Sequence, residues 1–149
     1  ICVRGKNVMK EYYKNPIETK KSFHDDWLLT GDLGLMDSDN FVFVKGRIKE
    51  LIIKGGENIS PREIDDVLYQ HPDILEAAAF GDDCTHYGET VKAGVVLKNK
   101  DSVSEKDLIE HCSKILGEFK SPDNIYFFDE LPKGSSGKIQ RLKIKDQIK

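Results

Sequence analysis

The sequence holds little that could span a membrane, staple a fold or bind a metal. Its apolar runs are all short, well under the roughly 18 residues that a membrane-crossing helix needs, so no transmembrane segment is expected. Cysteine is scarce: Cys2, Cys84 and Cys112 are an odd and widely spaced set. They suggest neither a disulfide framework nor a zinc-ligand spacing, and inert thiols in a reducing, cytoplasmic compartment are the expectation. The four histidines, His24, His71, His86 and His111, also lack metal spacing, and no metal ligand is assigned. A positive excess is missing too. With 23 Lys and Arg against 26 Asp and Glu the net charge is -3, which argues against nucleic acid as the main partner. There is no initiator Met and no charged-then-apolar leader before Ile1-Cys2-Val3-Arg4, so the chain reads as a piece cut from a longer protein.

What is present suits a folded, highly charged domain. The 149 residues are 38% hydrophobic and 33% charged, and a chain of this length hides roughly two-thirds of its unfolded surface on folding. Ile1–Arg4 reads as the end of a strand, and Asn15-Pro16 opens a helix running to about Phe23. Leu28 to Met36, a turn at 37–40 and Phe41 to Val44 read as a hairpin. A strand over Ile48–Ile53 stops at Gly55-Gly56. Ser60-Pro61-Arg62-Glu63 starts a helix with Ser60 as N-cap and Glu63 completing a capping box. Its apolar stripe is Ile64, Val67 and Leu68, and His71-Pro72 ends it. Strands over Ile74–Phe80 and Val91–Leu97 follow, then a Ser104-capped helix stopping at Gly117, a strand over Ile125–Phe128 and a short helix over Leu142–Ile148. This is an α+β order with a mixed sheet, flanking helices and its own core after about residue 50.

Three segments carry chemistry. Trp27-Leu28-Leu29-Thr30-Gly31-Asp32 sets a carboxylate on a tight glycine turn, where it can accept hydrogen bonds from both hydroxyls of a ribose. The run from Gly46-Arg47 through Lys49 to Gly55-Gly56 and Ile64 joins a strand, a glycine turn and a capped helix; the paired glycines let backbone approach a ligand where a Cβ would forbid it. Leu131-Pro132-Lys133-Gly134-Ser135-Ser136-Gly137-Lys138-Ile139-Gln140-Arg141 is a Gly/Ser loop presenting a lysine. It is not a phosphate-cradling P-loop, because only two residues separate its glycines and no Ser or Thr follows Lys138.

Together these segments resemble the adenylate-forming superfamily, in particular the C-terminal portion of an acyl-CoA synthetase of the fatty-acyl or medium-chain type. They look like its (Y/W)-x-x-T-G-D, hinge and P-(K/R)-(T/N)-x-x-G-K motifs, with Gly134 standing where Thr or Asn is usual. Gly5 to Pro16, Gly81 to Glu89 and Phe119-Lys120-Ser121-Pro122 extend the resemblance along nearly the whole chain. It implies that residues 1–48 end a large AMP-binding domain and that 49–149 form a small mobile domain. It further implies Lys138 as the catalytic lysine, Asp32 and Arg47 as ribose contacts, Lys49 as the hinge, and Gly55 and Gly56 as lining for the pantetheine of CoA. Tyr87 and Phe119 are candidates to pack on CoA, and each could equally be a core aromatic. The substrates implied are a small-molecule carboxylic acid, ATP and CoA, with Mg2+ accompanying the ATP outside this fragment. The pyrophosphate loop and acyl pocket would lie upstream of residue 1, so the fragment is expected to be inactive alone. An amino-acid adenylation domain loading a carrier protein, or a non-catalytic nucleotide- or protein-binding module, are the rival readings.

Overall fold

A computed structural model describes residues 1–100 and 102–148. The chain forms two compact units, Ile1–Lys49 and Glu50–Lys149.

The first unit is built from short elements. β1 (Cys2–Val3), β3 (Trp27–Leu29) and β2 (Phe23–His24) form a small antiparallel sheet in that order, with β3 central. Helix α1 (Pro16–Ser22) is capped by Asn15, whose side chain accepts from the Glu18 N–H at 3.1 Å. β4 (Asp32–Met36) and β5 (Val42–Arg47) make a separate hairpin. Asp37 closes its turn by accepting from the N–H groups of Asp39 and Phe41, and Asn40 takes the left-handed position at φ 66°. One strand over Leu28–Met36 was expected, but the chain breaks at Thr30-Gly31. Gly31 has φ +76°, so Leu28 and Leu29 pair in the small sheet while Asp32 onward pairs with β5.

The second unit is a three-layer arrangement around a five-stranded sheet. Its strands are β6 (Ile52–Lys54), β7 (Glu57–Ile59), β8 (Ile74–Cys84), β9 (Gly88–Leu97) and β10 (Asn124–Phe127). β9 pairs with β8, β6 and β10, and only β10 runs parallel to it, so the sheet is mixed. Side-chain alternation along β8 builds two cores. Ala77 and Ala79 join Ile64, Val67 and Leu68 of α2 (Pro61–Leu68) and Leu108 and Cys112 of α3 (Glu105–Leu116) on one face. Ala78 and Phe80 join Leu131 and Ile144 on the other. The segment after β10 therefore covers the sheet face that the two helices leave open.

Several local expectations change. Ile48–Glu50 is a 3-10 turn rather than strand, so β6 keeps only three residues, and the glycine pair closes a hairpin onto β7 instead of ending the sheet. Ser60 occupies the N-cap of α2 without a side-chain cap bond. Glu63 instead takes two hydrogen bonds from Lys120, at 3.0 and 3.1 Å. The expected reciprocal capping box forms in α3, between Ser104 and Asp107. α2 stops at Leu68, short of His71-Pro72. The expected C-terminal helix is two 3-10 turns, Arg141–Lys143 and Lys145–Gln147. Between them Ile144 is fully buried, and with Ile148 packed against the same cluster it anchors a short, irregular strap. The three cysteines are free; Cys2 is exposed and Cys112 buried, and burial pushes the Cys112 thiol up to about 11.

Candidate functional site

The candidate residues fall into two groups, one per unit. In the first unit, Asp32 and Arg47 face each other across the β4–β5 hairpin. The Arg47 Nε lies 3.1 Å from Asp32 Oδ1, and Arg47 Nη2 donates to the Thr30 carbonyl at 3.3 Å. The turn at Gly31 is closed without the Asp32 carboxylate. Thr30 Oγ1 accepts from the Asp32 N–H at 3.1 Å and donates to the Ile1 carbonyl at 2.9 Å. The ion pair is open to solvent, with the Arg47 side chain 59% exposed, and such a pair adds at most about 1 kcal/mol to stability. What it does well is hold a carboxylate and a guanidinium at fixed spacing on a rigid turn.

Lys49 is exposed within the 3-10 turn that ends the first unit. Each neighbour is tied to its own unit. The Ile48 N–H donates to the Gly31 carbonyl at 2.9 Å, and Glu50 accepts from Arg141 Nε at 3.3 Å.

In the second unit, the structure brings Gly55, Tyr87 and Phe119 together. Gly55 and Gly56 form the β6–β7 turn with φ +58° and +85°. The Gly55 N–H donates to the Tyr87 carbonyl at 2.8 Å. A Cβ at Gly55 would stand 3.5 Å from Tyr87 Cδ1 and 3.7 Å from Phe119 Cζ, so both rings border the space that a side chain there would fill. Neither ring is a core aromatic: Tyr87 is 52% exposed and Phe119 40%.

Lys138 sits on a tight, exposed loop. The Gly134 N–H donates to the Lys138 carbonyl and the Gly137 N–H to the Gly134 carbonyl, both at 2.9 Å, and Lys133 bridges to Ile139. Gly134, the departure from the usual motif, makes room for Gln140, whose Nε2 would be 3.0 Å from a Cβ there. Among the described residues the exposed Lys138 has no carboxylate partner. Its neighbour Lys133 does: the Glu76 carboxylate at 2.7 Å raises the Lys133 pKa.

Sequence reasoning passed over Arg141, which pins this loop. Its guanidinium meets Asp65 twice, Nη2–Oδ2 at 2.7 Å and Nη1–Oδ1 at 3.2 Å, and it also bonds Glu50 and the Ala79 carbonyl. Burial raises the Asp65 pKa even though Arg141 works the other way. Lys54 was also missed; it is a nearly buried lysine beside Asp123. The signal for both was available: an alternation that puts Lys54 on the face of Ile52, and an Arg inside an otherwise flexible motif. A surface cavity of about 430 Å3 lined by Leu75, Val96, Val103, Phe127 and Phe128 contains none of the candidate side chains. Among the described residues no three His, Cys, Asp or Glu side chains are grouped to hold a metal, and no helix is long and apolar enough to cross a membrane.

The AMP-binding enzyme C-terminal domain family matches residues 63–138. The chain belongs to that family. The stretch matched to the AMP-binding enzyme C-terminal domain ends on Lys138 and takes in Tyr87, Phe119 and Asp65, while Asp32, Arg47, Lys49 and the Gly55-Gly56 turn precede it. The chain is 50% identical to the sulfoacetate–CoA ligase of Cupriavidus necator over 97% of its own length and 28% of that protein. It is 45% identical to the oxalate–CoA ligase of Arabidopsis thaliana over 95% of its length and 27% of that protein. Its fold matches the o-succinylbenzoate CoA synthetase of Bacillus subtilis, solved with its acyl-adenylate intermediate, at a TM-score of 0.91 and 39% identity, over 97% of this chain and 30% of that one. The α+β fold is thus that of the C-terminal part of adenylate-forming enzymes, and the chain spans little more than a quarter of its curated relatives' length.

Proposed function

We propose that this chain is the C-terminal part of an AMP-forming acyl-CoA synthetase, an acid–thiol ligase. The whole enzyme would activate a carboxylic acid with ATP, releasing pyrophosphate, and pass the acyl group from the adenylate to the thiol of CoA, releasing AMP. The observation that carries this reading is the Gly55 turn set beside exposed Tyr87 and Phe119. Bare backbone beside two open aromatic faces suits a narrow pantetheine arm and a planar base. The likeness to CoA ligases supports CoA rather than a carrier protein as acceptor.

In this reading Asp32 and Arg47 hold the ribose of ATP. Lys138 places an ammonium beside the carboxylate and α-phosphate, where charge shifts as pyrophosphate leaves. Lys49 is the hinge between residues 1–48 of the large domain and a mobile domain over 49–149. Its rotation presents first the Lys138 loop and then the Gly55 turn. Mg2+ accompanies the ATP and is held outside this chain, and a reducing, cytoplasmic compartment suits three free thiols. The chain alone, a quarter of such an enzyme, would not complete adenylation. The test is Lys138→Ala in the full-length protein. ATP–pyrophosphate exchange should fall at least about 100-fold, the scale for removing one preorganised charge donor, while thioester formation from supplied acyl-adenylate persists. Unchanged exchange would remove Lys138 from the chemistry.

A further inference from the structure

Strand β6 is inside out at its end. Ile53 points to solvent, 52% exposed, while its neighbour Lys54 is 5% exposed on the face of fully buried Ile52. An isolated buried ammonium is costly, and places where a strand's polarity pattern breaks tend to serve function. The Lys54 ammonium is committed on two sides. It donates to Asp123 Oδ2 at 3.0 Å and lies 5.4 Å from the centroid of the Phe119 ring. Asp123 is itself fixed, accepting from Thr90 Oγ1 and from the Val91 N–H at 3.3 Å. Burial works against the Asp123 carboxylate, but donation from Thr90 and Lys54 outweighs it and holds the carboxyl below its usual range.

These contacts join parts of the chain that are far apart in sequence. Lys54 directly precedes the Gly55 turn. Phe119 and Asp123 flank the buried pair Ser121 and Pro122 that leads into β10. Tyr87, also beside Gly55, is tied to the turn by its own carbonyl. The Phe119 side chain has no hydrogen-bonding group, and its ring is 40% exposed with the Lys54 ammonium 5.4 Å from its centroid.

We infer that Lys54 is a positioning residue for acceptor binding: with Asp123 as counter-ion, it holds the Phe119 ring at the separation from the Gly55 turn that a planar base and its pantetheine arm require. This rests on the reading of Tyr87 and Phe119 as CoA contacts. Lys54 does not touch the acceptor itself, since its side chain is 6% exposed and its charge is already paired.

The experiment uses the full-length enzyme and four single variants, Lys54→Met, Lys54→Arg, Phe119→Ala and Tyr87→Ala, with the double variant Lys54→Met/Phe119→Ala. Pyrophosphate exchange, which needs no CoA, reports folding and the first half-reaction. Lys54→Met should raise KM for CoA about fivefold to tenfold, the scale of a partly desolvated cation–π contact, with kcat little changed. Lys54→Arg should restore most of the affinity. The double variant should bind CoA no worse than Phe119→Ala alone, because the lysine acts through that ring. If Phe119→Ala raises KM for CoA and Lys54→Met does not, or if the two effects add in full, the positioning role is overturned while the aromatic reading stands. If neither Phe119→Ala nor Tyr87→Ala changes KM for CoA, the aromatic reading itself fails, and the inference with it. Should Lys54→Met lose exchange through misfolding, Asp123→Asn carries the same comparison. It keeps a similar shape and removes the counter-ion, and an unchanged KM for CoA there overturns the proposal.

Discussion

Two charged clusters set the limits at the residue scale. Thr30 Oγ1, not the Asp32 carboxylate, closes the turn at Gly31, and the exposed pair of Asp32 with Arg47 adds little to stability. Asp32→Ala should leave thermal unfolding nearly unchanged and raise the KM for ATP at least about tenfold, since a hydrogen bond to a charged acceptor contributes about 1.5–3 kcal/mol. An equal rise for the carboxylic acid would show that Asp32 only shapes the hairpin. Arg141 behaves in the opposite way. Its side chain and that of Asp65 are only 14% and 11% exposed, and removing one partner of such a pair costs about 3–5 kcal/mol. Arg141→Met should therefore destabilise strongly in chemical denaturation at neutral pH. Burial raises the Asp65 pKa above 3.8 even in the native protein, and the shift grows once Arg141 no longer opposes it. The folded state then binds the proton more readily than the unfolded state. Stability gained from protonation is lost as pH rises through the folded pKa, so the deficit of Arg141→Met should narrow as pH falls. A constant deficit would mean that Asp65 stays charged.

Elements here were legible to differing degrees. α3 was readable from both ends, because Ser104 three residues before Asp107 is a local signal and Gly117, at φ +79°, stops the helix. The Ser104 hydroxyl accepts from the Asp107 N–H at 3.2 Å. Ser104→Ala should thus cost about 1 kcal/mol, the usual worth of a serine cap, read as a shifted denaturation midpoint with an unchanged slope. A loss within error would mean that the first turn is held by packing alone. α2 carries the same cap-like sequence without the box: the Glu63 N–H donates to the Ser60 carbonyl at 3.1 Å, and the Glu63 carboxylate pairs with Lys120, 57 positions further along. The C-terminal strap was misread for a related reason. A helix over Leu142–Ile148 was expected, yet the segment forms two 3-10 turns whose Ile144 is buried among Ala78, Phe80 and Leu131 with Ile148 packed beside it, so a packing surface far away in sequence sets its shape.

For the whole molecule, the division after Lys49 matters most. Ile48 is tied through its N–H to Gly31 and Glu50 through its side chain to Arg141, and these ties on either side support the proposal of Lys49 as the hinge. Proline fixes φ near -65° and restricts Ile48 before it. In the full-length protein, Lys49→Pro should trap one orientation of the small domain. Acyl-adenylate formation should survive at a substantial rate while thioester formation falls sharply, and Lys49→Ala should cost much less. A matching fall in both half-reactions, with a lowered unfolding temperature, would indicate a folding defect. Full activity in both would place the hinge elsewhere.

The sequence by itself determined the features written in consecutive residues: the α+β order, the Ser104 cap, the glycine turns at Gly31 and Gly55-Gly56, and the motifs that name Asp32, Arg47 and Lys138 as candidates. Only the tertiary structure decided what depends on residues distant in the chain. It placed Tyr87 and Phe119 in the open beside Gly55 rather than in the core. It gave Lys54 its counter-ion 69 positions away and Arg141 its carboxylate 76 positions away. Glycine turns and caps are fixed by steric and hydrogen-bonding limits within a few residues. A buried charge is instead fixed by whichever partner the packed sheet brings to it, and local sequence does not encode that partner.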